Sequence, residues 1–208
     1  MLTLGINTAT QNESIALLKG KNLIGELSWI GKKDESKKLL PNIEKLLKKH
    51  ALTLKDINKI AVVVGPGPYS ALRIGVTVAN TLAYALDAKI EVISTVEMMH
   101  ARLPQDISAK LLLNAGGRFV SNGSKVIELE PLLTQLSGKK IYGDLSKDQI
   151  KQFKNSTLID DKKLKSFGQV LANGVQLTQV QIATPLYWRA PMITKSNAKH
   201  SSHTDRKS

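Results

Sequence analysis

The 208-residue chain contains no cysteine. This excludes disulfides, thiolate nucleophiles and cysteine-based zinc or iron–sulfur sites. Aromatic residues are also scarce, at 4%, and the interleaving of aromatic and basic residues found in RRM-type domains is missing. No apolar run is long enough to span a bilayer, and the N-terminus lacks the basic start and cleavage site of a signal peptide. We therefore expect a cytoplasmic protein with no membrane segment.

Histidine is sparse, and its spacing argues against a metal site. The chain has four histidines, and no His-x-x-x-His pair lies on a predicted helix. Helical pairs of that spacing are typical of zinc enzymes, which also use a nearby carboxylate. The sequence predicts no metal, no other cofactor and no catalytic residue.

Positive charge, in contrast, is abundant, with a formal net charge of +13. Such a balance favours RNA, an anionic surface or an acidic partner. Lysine outnumbers arginine, however, and lysine reads phosphate and base geometry less specifically. A diffuse, solubilising surface is the favoured interpretation, and a basic tRNA-binding module is an alternative.

The apolar pattern predicts an α/β protein. Three short strands within residues 2–29 are followed by a helix at 35–50, a buried strand at 60–64, a helix at 69–86, a strand at 90–93 and a helix at 95–102. This order predicts a mixed five-stranded sheet with flanking helices. We assign residues 1–102 to this first lobe, 103–192 to a smaller, divergent second lobe that echoes the first in topology, and 193–208 to a basic, disordered tail.

In the second half the signals are weaker. Short strands are predicted at residues 110–113, 118–121 and 124–129, and helices at 131–136 and 161–172.

The helix at 69–86 has more apolar surface than a sheet needs to cover it. Apolar side chains surround it almost completely, and Gly75, Ala79 and Ala83 form a row of small residues that allows another helix to approach closely. Burial of this helix inside its own chain would account for the pattern. The alternative is an exposed apolar patch that binds a partner. The candidate interface residues are Leu39, Leu40, Ile43, Leu47, Leu72, Gly75, Val76, Ala79 and Ala83.

A rigid loop precedes this helix. Proline fixes φ and glycine adopts conformations that other residues avoid, so Gly65, Pro66 and Gly67 are interpreted as a structural mount for the helix. Arg73 is a lone cation on the apolar helix. We expect it to form an ion pair within the loop region; pairing with a carboxylate of a partner is the alternative.

Three motifs resemble the TsaB (YeaZ) family. Residues 63–75 read Val-Val-Gly-Pro-Gly-Pro-Tyr-Ser-Ala-Leu-Arg-Ile-Gly, which is similar to the family's most diagnostic segment. Residues 4–10 resemble its opening turn, and residues 185–189 resemble its C-terminal Pro-x-Tyr-x-Arg segment. The chain departs from the family pattern at Glu35, where a histidine is usual, and at Val64, where an arginine is usual.

The resemblance implies a two-lobe, actin/Hsp70-like (ASKHA, RNase H-like) fold and a role as the non-catalytic relative of TsaD. TsaB-like proteins pair with TsaD as a heterodimer, with TsaE in the wider complex, in threonylcarbamoylation of tRNA adenosine 37 (t6A biosynthesis). A homodimer is a further possibility. In the related ATPases, aspartates of two phosphate loops position Mg²⁺; the corresponding turns here carry Asn7 and Asn114. This substitution favours a pseudoenzyme scaffold over the alternative, an active ATPase-superfamily enzyme.

Overall fold

The structure is a computed structural model that describes residues 1–32 and 34–188. The predicted tail at 193–208 and Arg189 of the C-terminal motif lie outside the described residues. The described strands are β1 Leu2–Asn7, β2 Asn12–Lys19, β3 Asn22–Ile30, β4 Ile57–Val63, β5 Lys89–Ile93, β6 Lys110–Asn114, β7 Phe119–Ser121, β8 Val126–Glu128, β9 Lys140–Asp144, β10 Thr157–Leu158 and β11 Thr178–Val180. The helices are α1 Glu35–Lys49, α2 Tyr69–Leu86, α3 Thr95–Arg102, α4 Leu129–Gln135, α5 Lys147–Gln152 and α6 Phe167–Ala172.

The first sheet has six strands in the order β11-β5-β4-β1-β2-β3. Strands β1, β2 and β3 form an antiparallel meander, while β4 and β5 run parallel to β1. The predicted count of five strands is wrong, because β11, which lies near the C-terminal end of the described chain, adds a sixth strand and pairs antiparallel with β5. Its three residues have no strong strand pattern of their own, so the pairing partner decides their conformation.

Helices cover both faces of this sheet. On β1, Leu4 and Ile6 point to the side covered by α1 and α2, in one apolar core. On the other side of β1, a Cβ added at Gly5 would meet Leu171 and Phe167, two residues of α6 that pack against the sheet. The alternation of side chains along a strand explains this division. The apolar character of α1 and α2 thus supplies most of one core layer.

The second sheet repeats the topology of the first. Its order is β10-β9-β6-β7-β8, with β6, β7 and β8 antiparallel and β9 and β10 parallel to β6. Helix α4 connects β8 to β9 as α1 connects β3 to β4, and α5 connects β9 to β10 as α2 connects β4 to β5. The predicted echo between the halves is confirmed at the level of topology, and the α/β fold with two mixed sheets is as expected.

The chain returns to the first sheet near its end. Helix α6 lies on β1, β2 and β3, and β11 extends the sheet at β5. Both elements fall inside the range that the sequence analysis gave to the second lobe, so the boundary at residue 102 does not divide the chain into two continuous packing units. Among residues 1–32 and 34–188, no helix is both long and apolar enough to cross a membrane.

Candidate functional site

The loop before α2 is fixed by the backbone. The carbonyl oxygen of Gly65 accepts a hydrogen bond from the amide of Thr95 at 2.7 Å, and the carbonyl oxygen of Val64 accepts one from Leu186 at 2.7 Å. Gly65 has φ +109°, and a Cβ added at Gly67 would fall on the carbonyl oxygen of Ala9. These positions need glycine. The loop therefore connects β4 to the start of α3 and to the segment at residue 186.

Helix α2 approaches the end of β1 unusually closely. A Cβ added at Gly75 would collide with the hydroxyl of Thr8, and that hydroxyl donates a hydrogen bond to the carbonyl oxygen of Ala71 at 2.8 Å. The small residues of α2 therefore permit contact with the chain's own β1–β2 turn. They do not form an exposed stripe for another helix.

Most of the predicted interface residues are buried within the chain. Leu39, Ile43, Leu47, Leu72, Gly75, Val76, Ala79 and Ala83 are buried, and only Leu40 is exposed, at 49%. As a surface the predicted set is wrong, because the apolar stripes of α1 and α2 face the sheet and each other. The same two helices nevertheless leave other apolar side chains accessible.

These accessible side chains line a groove between α1 and α2. The groove has a volume of about 450 Å³, and its apolar wall includes Leu39, Leu40, Ile74 and Val78. The polar side chains around it are Glu35, Ser36, Ser70, Arg73 and Thr77. An apolar floor with a polar rim is the usual composition of a protein–protein contact. We call this surface the α1–α2 groove.

Arg73 lies at the edge of the groove and is exposed. Its guanidinium stands 5.4 Å from the centre of the Tyr69 ring, with an Nη1 to Tyr69 Oη distance of 3.5 Å. The expected ion pair within the loop is wrong: the cation lies against an aromatic face and makes no ion pair with the described residues. A partner's carboxylate therefore has access to it.

In the two turns that correspond to phosphate loops, the asparagine side chains form hydrogen bonds to groups of the same turn. In the β1–β2 turn, Asn7 Nδ2 donates to Thr10 Oγ1 at 2.9 Å and Asn7 Oδ1 accepts from the amide of Ala9 at 3.0 Å. In the β6–β7 turn, Asn114 Oδ1 accepts from the amide of Gly116 and from Nε2 of Gln149. Both asparagines act as turn residues.

A cleft of about 560 Å³ lies between these turns. Asp144, at the end of β9, accepts hydrogen bonds in this cleft from the backbone amide and side chain of Gln11. Burial raises the pKa of Asp144 to about 6, against the lowering effect of the Gln11 hydrogen bonds. Among the described residues, no group of three or more His, Asp or Glu is placed to hold a metal ion.

A second perturbed carboxyl lies at the start of α1. Glu13 on β2 is 1% exposed and faces Glu35, the first residue of α1, which is 5% exposed. Burial raises the pKa of Glu13 to about 8, and the adjacent carboxyl of Glu35 adds to the effect. Two facing carboxyls are compatible when one is protonated. The sequence analysis did not identify Glu13 or Asp144, because the residues that surround each carboxyl come from segments that are separated along the chain.

Sequence comparison finds relatives that match about half of the chain. A family model described as TsaD, tRNA N6-adenosine threonylcarbamoyltransferase, matches residues 30–127. The tRNA threonylcarbamoyladenosine biosynthesis protein TsaB of Bacillus subtilis is 39% identical over 101 residues, 49% of this chain and 44% of that protein. TsaB of Buchnera aphidicola is 34% identical over 114 residues, 55% of this chain and 54% of that protein. The chain thus matches about half the length of these curated relatives.

Structural comparison extends the likeness to most of the described fold. YeaZ from Pseudomonas aeruginosa superposes with a TM-score of 0.66 at 19% identity, over 89% of this chain and 99% of that structure. A second structure from the same organism, described as similar to peptidase YeaZ, gives 0.67 at 20% identity, over 90% and 99% of the two chains. About half of the chain is thus similar in sequence to TsaB proteins, and most of it is similar in fold to the YeaZ structures.

Proposed function

We propose that this chain is a cytoplasmic, non-catalytic scaffold that pairs with a TsaD-type subunit in t6A biosynthesis on tRNA adenosine 37. The observation that carries the proposal is the α1–α2 groove. It keeps Leu40, Ile74 and Val78 accessible on two helices whose main apolar stripes are buried against the sheet and each other. Exposed apolar surface of this kind marks an interaction site in a soluble protein.

The names of the relatives support a role in t6A biosynthesis, and the groove supports pairing with a partner as the mode of action. Two TsaB proteins named for threonylcarbamoyladenosine biosynthesis match about half of the chain, and the TsaD family model matches residues 30–127, which contain α1 and α2. TsaD is the partner that the family resemblance implies, and TsaE would join in the wider complex. The groove offers such a partner Leu40, Ile74 and Val78 for packing and Arg73 for a carboxylate.

The turns support a non-catalytic role. The amide groups of Asn7 and Asn114 are engaged in holding their own turns. A neutral amide that is committed to the backbone is a weaker Mg²⁺ ligand than a free carboxylate. Chemistry would then reside in the partner, and this chain would fix the partner's arrangement.

Paired variants test the groove. Leu40→Glu and Val78→Glu place a charge on the apolar wall, so each should weaken binding to the TsaD homologue of the same organism by tenfold or more, roughly the effect of losing one interface anchor. Tyr84→Glu is the matched control, because Tyr84 is 92% exposed on α2 and does not line the groove. Binding is measured by sedimentation velocity with each variant.

Equal binding by all three variants would contradict the groove as the contact. Self-association that is lost in Leu40→Glu would show instead that the groove joins two copies of this chain. Ala79 and Ala83 are unsuitable for this test, because both are buried and an arginine there would disrupt folding.

A further inference from the structure

Two tyrosines that line the cleft between the β1–β2 and β6–β7 turns form an accessible aromatic surface. The rings of Tyr69 and Tyr187 have centroids 4.8 Å apart and an interplanar angle of 34°. Tyr69 is 38% exposed and Tyr187 is 39% exposed, so part of each ring faces solvent. Neither tyrosine belongs to an apolar core cluster of the described residues. We call Tyr69 and Tyr187 the tyrosine pair.

One arginine lies against this surface, and a second lines the same cleft. Arg73 stands over the Tyr69 ring, and Arg118 stands 5.5 Å from the centre of the Phe119 ring across the cleft. The Arg118 side chain is 77% exposed, and its ion pair with Glu128 is long, at 3.3 Å. An exposed pair at that distance contributes little, so the guanidinium remains available to an anion.

The cleft between these groups is open, and part of its wall is formed by the backbone of a glycine turn. It is lined by Tyr69, Tyr187, Phe119 and the turn at residues 114–118. A Cβ added at Gly116 or Gly117 would meet nothing within 4 Å, so a planar group can approach the chain there. Aromatic rings, flanking arginines and an open glycine turn together match the chemistry of a nucleobase with its phosphate.

The charge distribution favours a polymer over a free nucleotide. Asp144 lies inside the cleft, where its carboxylate would repel a phosphate that entered with the base. Arg73 and Arg118 are instead exposed at the mouth, and the chain as a whole carries +13. A base inside the cleft, with its phosphates outside near Arg73 and Arg118, avoids the Asp144 carboxylate and reaches the two arginines.

We propose that the tyrosine pair, with Arg73 and Arg118, stacks an unpaired base of single-stranded RNA at the mouth of the cleft. The stacking surface is read from the side chains, and only the choice of RNA over DNA rests on the proposed role in tRNA modification. The site adjoins the α1–α2 groove at Arg73, so a bound partner and a bound RNA would lie side by side.

The direct test is fluorescence anisotropy of a labelled short single-stranded RNA with the full chain. A matched oligomer that keeps the phosphates but lacks the bases separates stacking from charge. The base-containing RNA should bind roughly tenfold more tightly than the abasic oligomer, since stacking is sequence-tolerant but requires a base. Equal binding of the two oligomers would overturn the proposal.

Variants locate the contact. Tyr187→Ala should weaken RNA binding roughly tenfold and Tyr187→Phe should preserve it, because phenylalanine keeps the ring. Tyr84→Ala, which removes an exposed tyrosine elsewhere, is the control and should bind as the wild type does. Arg118→Ala changes a highly exposed side chain, and should lower both the affinity and its dependence on salt.

Three further outcomes would count against the proposal. Tyr187→Ala and Tyr84→Ala could bind equally, Arg118→Ala could leave the salt dependence unchanged, or AMP could compete as strongly as the RNA, which would indicate a mononucleotide pocket. Binding to the TsaD homologue is measured in parallel. Loss of RNA binding with pairing intact, or the reverse, shows which of the two proposals has failed.

Discussion

The two halves of the molecule share one topology but differ in the size of the helices that cover their sheets. In the first half, α1 has 15 residues and α2 has 18. In the second half the equivalent helices, α4 and α5, have seven and six. The short helices show how little is needed to cover such a sheet. The additional length in the first half allows α1 and α2 to form a surface between them, the α1–α2 groove.

Two glycines next to these helices differ in how closely they are enclosed. Gly75 in α2 lies against Thr8, whereas a Cβ at Gly138, which follows α4, would meet nothing within 4 Å. The close contact at Gly75 positions α2 and therefore the groove.

The largest expected effect comes from filling that close contact. Gly75→Ala should destabilise the protein by about 3 kcal/mol, because the added Cβ forces α2 away from the β1–β2 turn. Gly138→Ala should cost only about 1 kcal/mol, since Gly138 has φ +73° but open space around it. Urea unfolding measures both changes.

A double variant identifies the cause. Thr8→Ala removes the hydroxyl that the new Cβ would meet, so Gly75→Ala should cost less in a Thr8→Ala background. If the two single effects simply add, the contact between Gly75 and Thr8 does not explain the glycine.

A smaller effect on stability is expected from Glu13 and Asp144, the two carboxyls with raised pKa values, one in each half. The folded state raises the pKa of Glu13 to about 8 and that of Asp144 to about 6. A raised folded-state pKa means that stability is highest when the group is protonated and falls as pH rises. Asp144 should lower stability between about pH 4 and pH 6, and Glu13 should continue the decline to about pH 8.

Amide variants separate these two contributions. The wild type should lose about 2 kcal/mol of unfolding free energy between about pH 6 and pH 8, and Glu13→Gln should lose less than half of that. Asp144→Asn should leave this range unchanged and flatten the decline below about pH 6. A wild-type stability that stays constant or increases over the upper range would show that Glu13 is ionised in the folded state. Unfolding free energies at each pH provide the measurement.

Much of the first half follows from its sequence. The bounds of α2 and α3 are as predicted, because a glycine–proline loop precedes α2 and a Ser94 capping box begins α3. The second half is harder, since β9, α5 and β10 have short, mixed patterns and were not predicted. The helix predicted at 161–172 is instead a 3-10 turn followed by α6, because Ser166 caps a new start.

The candidate site illustrates the limit of periodicity. An apolar stripe predicts that a residue is removed from water, but it does not say whether the chain itself or a partner covers it. Leu39 and Leu40 are neighbours with the same chemistry, yet Leu39 is 1% exposed and Leu40 is 49% exposed. The cleft is similarly hidden from the sequence, because the Gln11 and Asp144 that meet there are 133 residues apart.

Hydrogen–deuterium exchange of the chain, with and without the TsaD homologue, tests the central claim most directly. We expect the partner to slow exchange in α1 and the N-terminal half of α2, where the groove lies, and to leave α4 and α5 unchanged. Protection in α4 and α5 with no change in α1 and α2 would contradict the claim that the longer helices of the first half form the binding surface.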